Sequence, residues 1–292
     1  MPRSGVAGTV RTGRAAAREA LRAAEEWSVP PPGSPACQAG GVDAGGAGAF
    51  LVVAGVVAGV IGTSGGVTSL VAYPALLVAG VPPFAANVTA SVALLGSGAS
   101  SALRAGRDVA GAGPVLRRWL PPIVLVSLAG AVLLVVTPGA VFDRVVPFLV
   151  AAGSVVLLLQ PAIARLQVRR GSRLPPLAVA AWGGGVALYN GYFGAGAGIL
   201  LITLLLLTAE PVLHRANALK NVILVAADLL PAVLFAVLGA VVWRAALPLG
   251  AGAVIGGLIG PSVARRVPAT VLRVLVGLSG LVLAVVLLVR AG

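Results

Sequence analysis

Apolar runs long enough to cross a bilayer recur along this chain from Ala47 almost to its end, and one helical crossing needs about 20 such residues. The runs are continuously apolar and do not alternate, so they suit helices rather than the strands of a membrane barrel. With 59% hydrophobic and 10% charged residues over 292 positions, the chain has too little polar surface for a soluble domain. The fold class expected is an all-α polytopic membrane protein, a multi-pass protein of the cell (inner or plasma) membrane.

Eight apolar segments are expected, at about 47–79, 84–103, 120–137, 145–164, 177–208, 217–239, 246–263 and 270–290. The first and fifth are too long for one crossing. Each is interrupted by glycines: Gly62, Gly65 and Gly66 in the first, Gly191, Gly194, Gly196 and Gly198 in the fifth. Such clusters weaken a helix and free backbone groups that lipid cannot satisfy, so the breaks belong inside protein or beside a water-filled cavity. A shift of 130 positions sets Gly66 on Gly196, Ala86 on Ala216, Asn87 on Asn217 and Ser91 on Asn221. The chain therefore reads as two repeats of about four helical segments, each opened by a glycine-broken helix. A disordered basic, Pro-rich tail at 1–46, with one short helix at 13–26, precedes membrane repeat 1 at 47–165. A basic cytoplasmic linker at 166–176 leads to membrane repeat 2 at 177–292.

The net charge is +13. The basic residues fall in the gaps between apolar runs, the pattern of topology signals rather than of nucleic-acid binding. Outside the tail there are 16 of them. If the broken segments cross fully, these divide ten to six between the two sides; if each turns back at its glycines, thirteen to three. The positive-inside rule prefers the second arrangement. It gives each repeat an odd number of crossings and inverts one relative to the other, a transporter architecture with its site at the broken helices.

Where a helix restarts after a glycine turn, free N–H groups and the positive dipole end can hold an oxyanion. The substrate-binding candidates in the first half are Thr63, Ser64, Gly65, Gly66, Asn87 and Ser91. In the second half they are Gly194, Gly196, Gly198, Asn217, Lys220 and Asn221, and Thr68, Ser69, Tyr189, Asn190 and Tyr192 offer further donors. Asn217 is equally a candidate N-cap. Lys220, the only lysine, either snorkels to the headgroups or attracts an anion at a pore mouth. Asp228 is the one acidic residue well inside an apolar segment, where an unpaired carboxylate costs about 2.5–3.5 kcal/mol. It reads as a proton-coupling candidate or as a polar packing contact. Ser127, Ser154 and Gln160 read as helix-packing hydrogen bonds.

Cys37 and His214 are single of their kind, so neither a disulfide framework nor a Cys or His metal cluster is expected within one chain. No cofactor is expected. An enzyme is disfavoured, because one histidine and one buried acid cannot assemble an ordinary acid/base pair. A membrane channel or a scaffold is the main alternative. A channel would want a continuous polar stripe, whereas polarity here is concentrated at the two breaks. The expected partners are a small-anion substrate and the lipid bilayer, with no nucleic acid; self-association into a homo-oligomer stays open.

The segments GTSGGVTSLVAYPALLVAG (62–80), GYFGAGAGIL (191–200) and HRANALKNVILVAADLLPAVLFA (214–236) resemble the paired motifs of the TauE/SafE family of sulfite exporters. The resemblance covers about residues 47–290. It implies a secondary transporter of sulfite, sulfonates or related sulfur-containing or carboxylated anions.

The tail lacks the apolar stretch of a signal peptide directly after its basic residues, and a start at Val42 is a further expectation. Mass spectrometry of the native N-terminus is then expected to find no peptide from before residue 42; finding one overturns the downstream start.

Overall fold

The computed structural model describes residues 44–104, 106, 108–170, 175–263 and 269–291. The short helix expected at 13–26 and Cys37 lie outside the described residues. Among those residues ten helices form. They are α1 (Ala44–Gly65), α2 (Ser69–Val78), α3 (Pro83–Arg104), α4 (Gly113–Val136), α5 (Gly139–Arg170), α6 (Pro176–Tyr192), α7 (Ala197–Thr208), α8 (Leu213–Val237), α9 (Trp243–Val263) and α10 (Ala269–Ala291). The two long segments split at their glycines into α1 and α2, and α6 and α7. The other six each form one helix.

Stretches of α1, α4, α5, α8 and α9 are long and apolar enough to span a membrane. The central helix α3 is not among them, because Asn87, Thr89, Ser91, Ser97, Ser100 and Ser101 lower its hydropathy. α4 and α5 begin at Gly113 and Gly139, before the expected 120 and 145, and two further boundaries also differ from expectation. α5 runs on to Arg170, into the expected linker. α8 begins at Leu213, before the expected 217. Glu210 explains the second: its carboxylate accepts the Val212 N–H at 3.3 Å and pairs with Arg215 at 3.2 Å. The turn is thus closed before Asn217, which lies inside the helix and is not its cap.

Glycine lets the helices cross at backbone contact. A Cβ on Gly55 would strike the Leu249 carbonyl, and one on Gly252 the Val52 carbonyl. The contacts advance together along both helices: Gly55 against Leu249 and Ala253, Gly59 against Ala253 and Gly257, Gly260 against Val60 and Thr63. α1 and α9 therefore run parallel. α3 also runs parallel to α9, since Ala93 meets Gly250 while Ser97 and Ser100 meet Gly257. So α1 and α3 point the same way, and α2 must bring the chain back between them. The first broken segment turns back at its glycines.

The helix pairings exchange between the two halves. α1 packs on α9 as α6 does on α4, α3 on α9 as α8 on α4, and α2 on α10 as α7 on α5. The corresponding helices α3 and α8 pack on each other, as do α5 and α10. Both of these pairs run antiparallel. Arg215 Nη2 donates to the Ala110 carbonyl at one end of the α3–α8 pair, at 3.3 Å. Gly98 faces Val225 near the middle, and the Val242 N–H donates to Thr89 Oγ1 at the other end, at 3.0 Å. Along α5 and α10, Gly277 lies against Leu158 and Gly280 against Ser154.

Ser127 and Ser154 are fully buried, but they do not bond between helices as expected. The Ser154 hydroxyl donates to Val150 of its own helix at 2.8 Å, and Ser127 Oγ has no partner among the described residues. They act as small spacers where Gly280 and Gly191 approach.

Gly252→Val is expected to force α1 and α9 apart at a cost of about 1–3 kcal/mol, the usual penalty for overpacking. Gly48→Val, where a Cβ meets nothing within 4 Å, is expected to change little. Thermal melts of the two variants in detergent check this, and equal melting temperatures would contradict the crossing.

Candidate functional site

The two breaks form by the same local rule. At the end of α1 the Gly66 N–H closes on the Gly62 carbonyl at 2.8 Å, with Gly66 at φ 72°, a conformation that only glycine adopts cheaply. α2 then starts from Thr68, which makes no side-chain cap bond. At the end of α6 the N–H groups of Phe193 and Gly194 both return to the Tyr189 carbonyl, at 2.9 and 3.0 Å. Gly194 and Gly196 take φ of 74° and 81°, and the Tyr189 hydroxyl ties down the Ala195 carbonyl at 2.6 Å. Tyr73 of α2 packs edge-on against Phe193, ring centroids 5.3 Å apart.

The breaks touch each other. A Cβ on Gly66 would lie 2.8 Å from the Gly198 carbonyl carbon, and one on Gly198 would lie 2.7 Å from Gly66 Cα. No side chain fits between them. Each break is also held from the opposite half. Asn87 Nδ2 of α3 donates to the Tyr192 carbonyl at 3.0 Å, and Asn217 Nδ2 of α8 donates to the Thr63 carbonyl at 2.8 Å. These amides supply partners for carbonyls that a broken helix leaves open.

Between the breaks and the facing walls of α3 and α8 lies a cavity of about 80 Å³, room for a few water molecules or one small ion. Gly62, Thr63, Gly66, Thr68 and Ser69 bound it from the first break, and Asn190, Phe193, Gly194 and Gly198 from the second. α3 contributes Ser91, Ser97, Gly98 and Ser101; α8 contributes Lys220, Asn221, Leu224, Val225 and Asp228. Lys220 is 1% exposed, and its Nζ donates to the Gly62 carbonyl at 3.3 Å. Asp228 lies two turns further along α8, about 12 Å by helical rise, and its Oδ1 accepts from Asn190 Nδ2 at 2.5 Å. The N–H groups of Val67 and Thr68 have no backbone partner among the described residues. The cavity therefore combines a buried ammonium and hydroxyls with one carboxyl, and Thr68 at the start of α2 stands in its wall.

Of the residues singled out in the sequence, the cavity brings together Thr63, Gly66, Ser91, Gly194, Gly198, Lys220, Asn221 and Asp228. Asn87 and Asn217 stand beside it and hold the breaks. Gly196 is the N-cap of α7, and a Cβ on it would lie 3.5 Å from Gly153 Cα. Ser64 and Gly65 close α1, and the Ser64 side chain lies outside the described residues. Lys220 neither snorkels nor sits at a mouth; it is wholly inside. Ser97 and Ser101 were missed, although Ser100 and Ser101 lie three and four positions from Ser97 and so on one face of α3, a readable signal. Polarity is thus not confined to the breaks. The Asn190–Asp228 bond joins α6 to α8 across 38 residues, and no local spacing announces it.

The chain matches the family model described as Sulfite exporter TauE/SafE over residues 47–287. It is 29% identical over 249 residues to the "Probable membrane transporter protein ORF9" of Sinorhizobium sp, an alignment covering 82% of this chain and 92% of that one. It is 27% identical over 231 residues to the "Probable membrane transporter protein" of Haemophilus influenzae, covering 78% and 89%. No solved structure gives a significant match. The family match spans both glycine breaks, the crossed asparagines and every residue of the cavity, and the chain is a multi-pass membrane protein belonging to the TauE/SafE sulfite exporter family.

Proposed function

We propose that this chain is a secondary transporter of small anions, working by alternating access around the cavity where its two broken helices meet. One observation carries the reading: Lys220 is fully buried, and among the described residues its hydrogen-bond partner is a single neutral carbonyl, that of Gly62. A desolvated ammonium is costly without a counter-charge. An anion entering the cavity supplies that charge and meets the N–H groups of the first break, and release needs no covalent step. The relatives named as membrane transporters support the same reading. The antiparallel pairing of α3 with α8 and of α5 with α10 favours inverted repeats, whose rocking would expose a midplane site to either side.

The size of the cavity, about 80 Å³, favours sulfite or a comparably small sulfur-containing or carboxylated anion over a bulky sulfonate. Asp228 bounds the same space. An anion and an ionised carboxylate repel each other in so small a volume, so anion entry is easiest when Asp228 carries a proton. That links one proton to each anion and makes Asp228 the coupling group.

Uptake of sulfite, sulfate, sulfoacetate and taurine into proteoliposomes tests the reading. Saturable sulfite uptake is expected, reduced at least about tenfold by Lys220→Met, a change worth roughly 1.4 kcal/mol or more. Replacing a buried charge by an apolar side chain of similar length tends to preserve stability, so the variant should melt no lower than the original. Undiminished uptake by Lys220→Met would remove the ammonium from the site. Asp228→Asn is expected to keep anion exchange across the membrane while losing acceleration by an inward proton gradient. A variant that still responds to the gradient would refute the coupling role. Gly198→Ala, which pushes a methyl into Gly66, is expected to abolish uptake of every anion.

A further inference from the structure

A second and larger hollow lies outside this site. It measures about 850 Å³ and is bounded by α4, α6 and the end of α7. α4 and α6 run parallel here: Gly183 lies near Trp119, and Gly191 against Ser127 and Ala131. Their starts therefore share one end of the molecule. The lining runs from Arg118 to Val126 on α4 and from Pro176 to Gly184 on α6, about 12 Å along each helix. That approaches the roughly 15 Å of hydrocarbon in one leaflet. Pro122 and Ala180 on its walls are exposed, so the groove is open along its length toward lipid.

Its chemistry changes from one end to the other. Arg118 and Trp119 stand at the mouth, and Ile123, Val126, Val179 and Leu206 form the interior. Glu210 also borders the mouth, but Arg215 holds its carboxylate at 3.2 Å. Arg118 is exposed and makes no ion pair among the described residues.

α6 carries three consecutive glycines, Gly183, Gly184 and Gly185. Gly183 packs beneath Leu204 and Trp119, whereas a Cβ on Gly184 or Gly185 would meet nothing within 4 Å. Glycine weakens a helix interior, and no neighbouring helix accounts for these two. At Gly184 the missing side chain deepens the groove.

We propose that this groove binds one anionic phospholipid, with an acyl chain laid between α4 and α6 and the phosphate against Arg118. The guanidinium fork matches phosphate oxygens in pairs, and Trp119 sits where an indole ring meets the headgroup level. The apolar interior takes the chain.

Native mass spectrometry of the full chain in detergent tests this, with phosphatidylglycerol and phosphatidylcholine titrated in parallel. One phosphatidylglycerol is expected to be retained per chain, in preference to phosphatidylcholine. Arg118→Gln is expected to weaken phosphatidylglycerol binding about fivefold, the effect of one basic residue at an anionic headgroup, and to weaken phosphatidylcholine less, because its choline cation already offsets the same phosphate. Gly184→Leu fills the groove without striking protein, and is expected to release both lipids at an unchanged melting temperature. Equal binding of the two lipids by the original chain, or binding unaltered in Arg118→Gln, overturns the proposal. So does a groove that retains no lipid because residues 1–43 or a second copy of the chain cover it.

Discussion

The backbone contact between Gly66 and Gly198 is the constraint on which the rest of this structure depends. Two helices end beside each other in the interior of a membrane protein, where unsatisfied carbonyls and N–H groups are costly. Any side chain at either position would separate them. Their approach places both breaks against one small cavity, so the polar groups freed by one break share a protected space with those freed by the other. Glycine at these points is a requirement of closeness as much as of backbone conformation.

The asparagines extend that logic across the molecule. Asn87 reaches from the first half to the end of α6, and Asn217 reaches from the second half to the end of α1. Each break is thus held by a helix of the other half. Movement of one half against the other must lengthen or remake these bonds, so the exchange that fixes the breaks also couples them. α8 bears the heaviest chemical load. Its Lys220, Leu224 and Asp228 fall on one stripe, placing a cation at one end of the cavity and a carboxyl at the other. The Asn190 bond fixes the carboxyl end to α6, while among the described residues the ammonium end meets only the Gly62 carbonyl. The asymmetry leaves the positive end with the greater need for a visiting partner.

Much of this was legible along the chain. The apolar runs marked all of the helical segments, because lipid imposes length and composition on any spanning helix. The glycine clusters marked both breaks, and the matched Ala-Asn pairs marked the helices that restart after them. The start of α8 was misjudged because Glu210 and Arg215 close the turn through side chains, which apolar periodicity does not register. Ser154 was read as an interhelical donor, yet its hydroxyl is satisfied within its own turn, a choice that depends on what lies opposite.

Sequence alone determined that the chain is helical, that it belongs in a bilayer, and that its helices are interrupted at two corresponding places. These follow from local composition and from the backbone demands of a nonpolar solvent. Only the tertiary structure decided that Lys220 lies inside rather than at a headgroup, that Asn190 meets Asp228, and that Asn87 and Asn217 secure carbonyls of the opposite half. Those outcomes depend on which helix faces which, and in lipid the polar side chains of one helix choose their partners only when another helix is packed against them.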